Sequence, residues 1–526
     1  MRVSTVPERD LPAVADNCLY LDYIAGEGQA ASFYAHGPLD FAAVLAERRA
    51  YSFPRQEVVP LLAEYNASLG AGAKCLHNVE ALRDPTTFCV IGGQQVGFLG
   101  GPVYTAYKIM NVIRLAQRLQ DELGVRVVPL LWLASEDHDF YEINFLHYVK
   151  GDGEIGRVSF SWDKVGHPIA RLEVHEGVQR AFAEYFDCLT PGPHRESVRT
   201  LFAPRGGESY STWHTRLWCD LFSQHGLVLV EPWVLRPAAG DFFRFALEHS
   251  QEIDARLEDV SRRLLEAGYQ PLLTAGQAGH LFALDDQGRR LRVGNPGGCW
   301  SQVAECCPER LSTDAALRPL LADAMLPVLG DVLGAGEIAY QAMLKPLHEL
   351  FGVPQPVLFP RKHYTVVGPH EAKLLRRYCI TAEEVLTGRL RPAEAWQRIV
   401  TRSEAEPFAA ARAAVREALS PLKPQVERVD PSLGRTWVGA LTQCLRALDK
   451  LEERTERARL SQLGYARRHL RALTNLLLPK GRLQERMLPL PHFLSRHGMG
   501  FLDSVFPAGD LYDFSHCILM LEDDYA

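Results

Sequence analysis

An apolar run, a helical pattern and a second apolar run follow one another in the first third of the chain. Residues 87–91 are apolar and rich in β-forming side chains, which predicts a buried strand. From Val103 to Leu119 apolar residues recur every three or four positions, which predicts an amphipathic helix. A second apolar run, residues 125–134, follows directly, although its Pro129 is a mild objection because proline prefers strand edges. This order predicts a βαβ unit, whose crossover is almost always right-handed.

A similar arrangement returns later in the chain. Residues 333–345 are glycine-rich and open a helical pattern. Residues 353–362 read as a further buried strand that ends in Arg361 and Lys362. Before them, a helix followed by a strand is predicted over residues 217–231. Together these patterns predict an α/β fold built on a parallel sheet.

The patterns divide the chain into three predicted parts. Residues 1–370 form the α/β core, in which residues 150–330 contain inserted segments, including a hairpin around residues 285–288. Strand-like runs nearly vanish after this core, so residues 371–485 are predicted to form a helical domain. Residues 486–526 form a C-terminal segment that is expected to pack back on the core.

The helical domain carries a coiled-coil-like seam. Apolar residues continue in steps of three and four through two stretches, which are separated by a break and flanked by many Arg and Glu residues. The seam positions are Leu441, Cys444, Leu448, Leu451, Thr455 and Ala458, then Leu463, Ala466, Leu470, Leu473 and Leu477. Because a lone exposed helix of this length is marginal, the seam predicts a homodimer, or an antiparallel helical hairpin that supports one.

Composition and charge narrow the class of protein. A chain of 526 residues is too long for one compact core. Its net charge of -7 does not indicate a nucleic-acid footprint, and no apolar run approaches the roughly 20 residues that span a bilayer. The first residues lack the apolar core of a signal peptide. The 11 cysteines are scattered without a C-x-x-C motif, so we expect reduced thiols and a cytoplasmic protein.

Polar residues follow both strands of the predicted βαβ unit. Residues 92–95, Gly-Gly-Gln-Gln, follow the first strand, and residues 135–139, Ser-Glu-Asp-His-Asp, follow the second. The carboxyl ends of parallel strands meet at one edge of a sheet, where ligands bind, so we expect both segments to face one crevice. The side chains expected within reach of a single small ligand are Gln94, Gln95, Asp137 and His138.

These two segments also resemble a known family. The stretches IGGQQVGFLGGPVYTAYK and VVPLLWLASEDHDFYEIN together resemble the bacillithiol biosynthesis cysteine-adding enzymes. The resemblance continues through PERLSTDAALRPLLADAMLPVLGDVLGAGEIAYQAMLKPLHELFGVPQPVLFPR and LLLPKGRLQERMLPLPHFL, so it covers essentially the whole chain. Two positions depart from the expected pattern. Asp314 stands where the family has Asn, and Ala335 stands where it has Pro.

The resemblance implies a fold and a reaction. The implied fold is a Rossmann-like parallel-sheet core with inserted connecting segments and a protruding α-helical coiled coil that makes a dimer. The implied reaction is the last step of bacillithiol biosynthesis, in which the carboxyl group of cysteine is joined to the amine of glucosaminyl malate. Neither a nucleic acid nor a membrane is expected as a partner.

Amide formation from a carboxylate needs activation, most simply by ATP, with Mg²⁺ on the nucleotide as an option. Backbone N–H groups from Gly93 to Gly97 and the helix start near Pro102 would then stabilise negative charge. We expect both glycines to be needed for close backbone approach or for positive φ. Lys108 is a candidate catalytic residue if its side chain reaches a phosphate. The alternative is a solvated lysine on the polar face of the helix.

The acidic run has two competing interpretations. In the first, Glu136, Asp137 and Asp139 hold substrate ammonium groups or Mg²⁺, and His138 takes a proton from the attacking amine. Asp137 and His138 are then candidate catalytic residues, and Ser135 is a candidate binding residue. In the second, one or two members of the run only cap the following helix.

The other candidates are binding residues. Arg361 is placed to meet phosphates or malate carboxylates, with a surface ion pair as the alternative. Glu337 contacts a ribose or an amine, or it only favours the helix dipole. The remaining candidates for substrate or nucleotide binding are Gly93, Gln94, Gln95, Gly97, Tyr104, Gly336 and Tyr340.

Two other functional classes stay open at this point. One is a metal-dependent hydrolase with the acidic run as ligands, which is weakened because no second His/Asp cluster with ligand spacing occurs. The other is a nucleotide-binding dimeric scaffold that works through its coiled coil and has no chemistry of its own.

Overall fold

The computed structural model describes five stretches of the chain: residues 1–163, 166–273, 280–293, 300–389 and 406–522. Contacts divide the protein into two units. The first unit comprises Met1–Lys150, Ile155–Pro369 and Leu477–Ala526, and the second comprises Gly151–Glu154 and His370–Leu476. The helical domain predicted to run to residue 485 therefore ends at Leu476. The reason is that Leu477, Leu483 and Glu485 are buried within the first unit.

All strands among the described residues lie in the first unit. They are β1 (Arg2–Val6), β2 (Phe88–Gln94), β3 (Val127–Leu133), β4 (Phe145–Val149), β5 (Ile155–Ser159), β6 (Val228–Val230), β7 (Leu281–Leu284), β8 (Arg290–Arg292), β9 (Leu311–Thr313), β10 (Val328–Leu333), β11 (Val357–Pro360), β12 (Tyr364–Val367) and β13 (His516–Met520). Five of them form the central parallel sheet, in the order β11–β10–β2–β3–β6. This sheet confirms the predicted α/β class.

The helices of the first unit surround this sheet. They are α1 (Cys18–Ala25), α2 (Phe41–Ala50), α3 (Arg55–Ser68), α4 (Ala73–Ala81), α5 (Tyr104–Leu123), α6 (Phe140–Ile143), α7 (Glu176–Cys188), α8 (Arg195–Phe202), α9 (Tyr210–Phe222), α10 (Pro232–Leu235), α11 (Gly240–Glu248), α12 (Ser250–Glu266), α13 (Trp300–Cys306), α14 (Leu317–Met325), α15 (Ala335–Gln341) and α16 (Lys345–Phe351). Two helices near the C-terminal end, α22 (Leu490–His497) and α23 (Gly500–Val505), complete this unit.

The predicted βαβ unit is confirmed as β2, α5 and β3. Its first strand is longer than predicted, because Gly92, Gly93 and Gln94 continue the pairing with β3 instead of starting a loop. The helix begins at Tyr104 and ends before Gly124, whose φ of 64° suits a left-handed cap. Pro129 is tolerated inside β3 because β6 pairs only with the three residues after it, so Pro129 has a strand neighbour on one side only.

Two predicted elements outside this unit are confirmed as well. The hairpin is formed by β7 and β8, which pair antiparallel. The late strand is β11, which pairs with β10. The C-terminal strand β13 lies between β1 and β12, antiparallel to the first and parallel to the second.

The second unit is helical. Its helices are α17 (Pro369–Tyr378), α18 (Ala382–Leu386), α19 (Glu406–Leu419), α20 (Leu422–Val429) and α21 (Leu433–Leu477). The indole of Trp437 donates to Leu419 O at 2.9 Å, and Arg412 Nε is 3.0 Å from Asp449 Oδ1. These contacts show that α19 and α21 run antiparallel, as a helical hairpin. None of the helices among the described residues is long and apolar enough to cross a membrane.

The predicted seam is buried at one end of α21 only. Ala466, Leu470 and Leu473 are buried, whereas Leu448 is half-buried and Leu451 is 55% exposed. The side chain of Leu463, another predicted seam residue, lies outside the described part of the chain. The first stretch of the seam therefore has apolar surface left to cover.

Candidate active site

A cavity of about 360 Å³ opens at the carboxyl edge of the central sheet. The ends of β2, β3, β10 and β11 all contribute to its walls, and α14 and α15 complete them. The chain leaves β2 toward β3 on one side, while β10 lies on the other side of β2. The cavity is thus at the point where the strand order reverses, which is the usual ligand site in open parallel sheets.

Gly92 and Gly93 open space on opposite faces of β2. A Cβ at Gly92 would lie 2.8 Å from Val112 Cγ2 and 3.2 Å from Lys108 Cγ, so this glycine lets the Lys108 side chain cross the strand. A Cβ at Gly93 would meet no atom within 4 Å, because that face opens into the cavity. Trp132, which pairs with Gly93 across the sheet, and Leu333 form walls of the space that the missing side chain leaves.

Lys108 links two strand ends beside the cavity. Its Nζ donates to Gly93 O at 2.7 Å and to the Glu337 carboxylate at 2.7 and 2.8 Å. Glu337 also accepts from the backbone N–H of Gly334 at 2.6 Å, so it caps α15. Lys108 is buried, which makes the predicted alternative of a solvated lysine wrong. The ion pair fixes the end of β2 to the start of α15.

The inner part of the cavity contains a buried carboxylate. Asp331 lies on β10, and Gln341 Nε2 donates to its Oδ2 at 3.1 Å. Burial raises the pKa of Asp331 to about 7, although the ammonium of Lys108 acts in the opposite direction. Three polar atoms of residues that line this cavity have no hydrogen-bond partner among the described residues: Asp331 Oδ1, Gln341 Oε1 and Trp132 Nε1. Three unpaired polar atoms around one cavity mark it as a place for a polar ligand.

Arg361 enters the cavity wall from the end of β11. It is buried and forms two hydrogen bonds to Glu485, at 2.6 and 3.2 Å, so the predicted surface ion pair is wrong. Glu485 also accepts from the Tyr364 N–H at 2.9 Å. Its burial would raise the pKa, but the charges of Arg361 and His363 outweigh that effect and hold the pKa of Glu485 well below its usual range.

The outer wall of the cavity is formed by Gln94, Gln95 and Tyr104. Gln94 Nε2 donates to the Tyr104 hydroxyl at 2.9 Å, and Gln95 Nε2 donates to Glu142 at 2.7 Å. The Arg361 guanidinium lies 5.4 Å from the centre of the Tyr104 ring. The predicted residues that line this cavity are Gly93, Gln94, Gln95, Tyr104, Gly336, Glu337, Tyr340 and Arg361.

Two parts of the segment predicted to bind an anion are used by the protein itself, namely Gly97 and the helix start near Pro102. Gly97 has a φ of -77°, and a Cβ there would lie 2.8 Å from Gly101 Cα, so this glycine serves the packing of its own loop. Burial lowers the pKa of His214 to about 4, and the neutral ring donates from Nδ1 to Gly97 O at 2.9 Å. At the helix start, the N–H of Val103 is bound by Leu488 O at 2.8 Å, so the helix start near Pro102 is covered by the chain itself.

The acidic run lines a second cavity, of about 310 Å³, which shares Ala134 and Arg318 with the first. Glu136, Asp137 and His138 lie in its wall. The structure thus brings the two glutamines to one cavity and these three residues to a cavity that adjoins it. The N–H of Ala134, just before the acidic run, donates to Gln94 O at 2.8 Å, so the two segments lie side by side at this edge.

Arginines engage the carboxylates of the acidic run. Glu136 is buried and lies 2.5 Å from the guanidinium of Arg236. Burial alone would raise the pKa of Asp137, but Arg318 and Arg290 outweigh burial and leave the pKa lowered. Arg318 Nη1 lies 3.8 Å from Asp137 Oδ2. Two of the three carboxylates therefore already have cationic partners within the protein.

The other members of the run differ in exposure. Arg290 Nη1 donates to His138 Nδ1 at 3.1 Å, and the His138 side chain is exposed. Ser135 is buried, with its hydroxyl unpaired among the described residues. Asp139 is exposed and precedes α6 without a side-chain capping bond, so the predicted capping role does not apply to it.

Several residues of the first cavity were missed by the sequence analysis. They are Trp132, Arg318, Asp323, Asp331, Gln341 and Arg486. Asp331 gave a usable signal, since a carboxylate inside the apolar stretch VLGDVL is unusual for a buried strand. Arg486 gave none, because nothing local shows that a residue so distant in sequence returns to this edge.

The sheet, its cavity and the helical hairpin define a protein with a Rossmann-like core and a coiled-coil domain. Two family models match the chain. "Bacillithiol biosynthesis BshC, N-terminal Rossmann-like domain" covers residues 1–362, and "Bacillithiol biosynthesis BshC, C-terminal coiled-coil domain" covers residues 364–521. The chain therefore belongs to the BshC family of bacillithiol biosynthesis, which confirms the resemblance and the predicted fold class.

Several relatives carry the name "Putative cysteine ligase BshC". The protein of Geobacillus kaustophilus is 30% identical, over 94% of this chain and 96% of its own length. The protein of Geobacillus thermodenitrificans is 28% identical over the same shares of the two chains, 94% and 96%. The protein of Desulforamulus reducens is 27% identical, over 95% of this chain and 97% of its own. The ligase class agrees with the predicted one.

Proposed function

We propose that the protein joins the carboxyl group of cysteine to the amine of glucosaminyl malate, as the last step of bacillithiol biosynthesis. The observation that carries this proposal is the cavity at the strand-order reversal, which combines carboxylates, arginines and unpaired polar atoms. The family name and the names of the relatives support a cysteine ligase.

We further propose that a nucleotide, most simply ATP, activates the cysteine carboxylate, because a free carboxylate is a poor acyl donor. Three arginines line the cavity and suit anionic groups: Arg318, Arg361 and Arg486. Arg361 is held in place by Glu485, so its guanidinium is oriented before any ligand arrives. Mg²⁺ is proposed only as a companion of the nucleotide.

The attacking amine of glucosaminyl malate must lose a proton before or during attack. The base predicted from the sequence is His138, with Asp137 beside it, and Lys108 was the third candidate for catalysis. In the structure Lys108 binds Gly93 and Glu337, so we propose that it positions the cavity wall and does not touch the reacting atoms. His138 and Asp137 line the second cavity, so their catalytic roles stay predictions that require the reaction to extend to that cavity.

Mass spectrometry tests the proposal. The protein is incubated with cysteine, glucosaminyl malate and ATP, and each substrate is omitted in turn. We expect bacillithiol only when all are present, together with AMP or ADP, which identifies the phosphate bond that is cleaved. A protein that binds nucleotide but makes no amide product under any combination would contradict the proposal and favour the scaffold.

The hydrolase alternative has less support than the ligase. Two of the carboxylates that would bind the metal already face cations, since Glu136 lies beside Arg236 and Asp137 beside Arg318. Such cations disfavour a divalent metal at the same carboxylates. In the part of the chain that the structure describes, no group of three or more His, Cys, Asp or Glu residues has metal-binding geometry. Purified protein with a stoichiometric transition metal would favour the hydrolase.

We also propose a cytoplasmic homodimer that pairs through the helical unit. The exposed apolar residues of α21 support this pairing, since Val438 is 51% and Leu451 is 55% exposed. Each described cysteine is a free thiol, as expected in a reducing compartment. Replacing Leu448 and Leu451 with Asp should give monomers in light scattering, and a persistent dimer would place the interface elsewhere.

A further inference from the structure

We propose that the inner end of the first cavity binds the α-ammonium group of cysteine, through Asp331 and Gln341. This inference rests on the proposed cysteine ligation and adds to it the place of one substrate. It assigns a binding role to two residues that the sequence analysis did not select.

The hydrogen bond between Asp331 and Gln341 leaves two free acceptors. Gln341 uses its amide N–H to bind Asp331 Oδ2, so Gln341 Oε1 and Asp331 Oδ1 remain. Neither oxygen has a hydrogen-bond partner among the described residues. Both side chains line the cavity, and Gln341 is 1% exposed. A ligand that satisfies two neighbouring acceptors must bring hydrogen-bond donors.

The negative charge of an ionised Asp331 indicates which kind of hydrogen-bond donor the ligand carries. Asp331 lies on a central strand, where an ionised carboxylate is costly without a counter-charge. The charge of Lys108 acts on Asp331, but the Lys108 ammonium donates to Gly93 O and to both oxygens of Glu337. A ligand ammonium would supply the positive charge that Asp331 lacks, and it carries up to three N–H donors for the two free oxygens.

Both cysteine and glucosaminyl malate carry an amino group, and the two groups differ in whether they react. The amine of glucosaminyl malate must be neutral to attack, so a carboxylate that favours its charged form would slow the reaction. The amino group of cysteine does not react, and holding it as an ammonium prevents it from competing as a nucleophile. Cysteine is also the smaller ligand, and Ile91, which pairs with Asp331 across the sheet and lines the cavity, offers an apolar wall for the thiol.

A ligand that lacks only the amino group gives the test. The affinities of wild-type protein for cysteine and for 3-mercaptopropionate are compared by calorimetry and by competition in the ligation assay. We expect wild type to prefer cysteine by about 10- to 100-fold, the range for a charge-assisted hydrogen bond. Asp331→Asn should reduce the preference to within about threefold, and Gln341→Met should reduce it in part.

Glu337→Gln is the matched control, because it removes a carboxylate from the same cavity. Glu337 is already paired with Lys108, so this variant should keep the preference for cysteine whatever its effect on turnover. If Asp331→Asn does not fold, the comparison of the two ligands in wild type and in Gln341→Met still tests the inference. Equal binding of the two ligands to wild type would overturn the inference by itself.

The failures of the two proposals are distinguishable. If wild type makes no bacillithiol and binds no cysteine, the proposed function fails and takes the inference with it. If wild type makes bacillithiol but Asp331→Asn keeps the preference for cysteine, only the inference fails. A selective loss of affinity for glucosaminyl malate in Asp331→Asn would place the other amine at Asp331 and would also overturn it.

Discussion

Two neighbouring strands end on the same edge of the sheet, and they end in opposite ways. At the end of β2, Gly92 and Gly93 remove side chains, so one face admits Lys108 and the other opens into a cavity. At the end of β3, an acidic run adds side chains, and arginines engage Glu136 and Asp137. The first end creates space with unpaired polar groups around it. At the second end, the carboxylates of Glu136 and Asp137 are already paired with arginines of the protein.

This difference shows that the residues with the most noticeable chemistry in the sequence need not be the ones available to bind a ligand. Four ionisable residues in a row attract attention in a sequence, but a carboxylate that faces a buried arginine contributes to folding before it contributes to binding. Two glycines carry no chemistry, yet they decide where a ligand has room. We therefore propose the first cavity as the place of the reaction, and the following experiments test that proposal.

The largest effect on stability is expected from Glu136→Gln. This change leaves Arg236 buried without a charge partner, which costs about 3–5 kcal/mol in comparable pairs. Urea unfolding measures the loss, and turnover is measured per folded molecule. We expect the folded fraction to remain active within a few-fold.

The exposed pair of Glu80 and Arg83 is the control for that experiment, and Glu80→Gln should change the unfolding midpoint by no measurable amount. If Glu136→Gln leaves stability intact but abolishes turnover, Glu136 acts on substrate and the comparison between the two strand ends fails.

The next effect is expected from Lys108→Met. This variant removes the bond to Gly93 and the ion pair to Glu337, so the wall of the first cavity is no longer fixed. We expect turnover to fall by roughly 10²-fold, the cost typical of a misplacement near 1 Å. Lys345→Met is the matched control, because Lys345 donates to Ser32 O and Tyr34 O instead. Equal turnover of both variants would remove Lys108 from the site.

A smaller effect is expected from His138→Gln. His138 lines the second cavity and accepts a hydrogen bond from Arg290, so our assignment predicts less than about a tenfold loss of turnover. Steady-state kinetics with each substrate varied gives kcat and KM separately. A general base would instead lose about 10²–10⁴-fold in kcat with little change in binding. That result would move the reaction toward the acidic run.

The smallest effect concerns pH and Asp314, the residue that departs from the family pattern. Burial alone lowers the pKa of His280, but Asp314 at 2.7 Å and Asp254 at 3.0 Å outweigh burial and leave it raised. The stabilisation is therefore fully present below about pH 6.5 and is lost as the pH rises through the folded-state pKa.

Urea midpoints measured between about pH 5.5 and 9 check this prediction. We expect a decline with rising pH in wild type that is weaker in His280→Gln, and also weaker in Asp314→Asn, which restores the family residue. Identical pH profiles in wild type and in both variants would contradict the ion-pair account of His280.

The elements of the core could be predicted because their signals are local. The apolar run from Phe88 and the helical spacing after Val103 gave the βαβ unit, and VLFP gave β11. The extent of β2 could not be predicted in this way, because Gly92 and Gly93 look like a loop. Only the pairing with β3 shows that they are strand residues.

The site residues near predicted strand and helix ends could be predicted from the sequence, and the partners that come from distant segments could not. Gln94 and Gln95 follow a predicted strand, Glu337 lies at the start of a predicted helix, and Arg361 lies at the end of another predicted strand. The sheet brings all four together. The partner of Arg361, Glu485, comes from a segment over a hundred residues away, which no local pattern reveals. Whether the acidic run faces the same cavity depends on which side of β3 each residue takes and on distant arginines. Alternation along the chain does not fix either point.

The most direct test of the account is Gly93→Leu. The new side chain points into open space, so the protein should fold with a melting temperature close to wild type, while the cavity is filled. Gly97→Ala is the contrast, because its Cβ meets the Gly101 backbone at 2.8 Å and should lower stability. We predict that folded Gly93→Leu forms bacillithiol at less than about 1% of the wild-type rate. A folded Gly93→Leu protein with turnover near wild type would contradict the assignment of the reaction to this cavity.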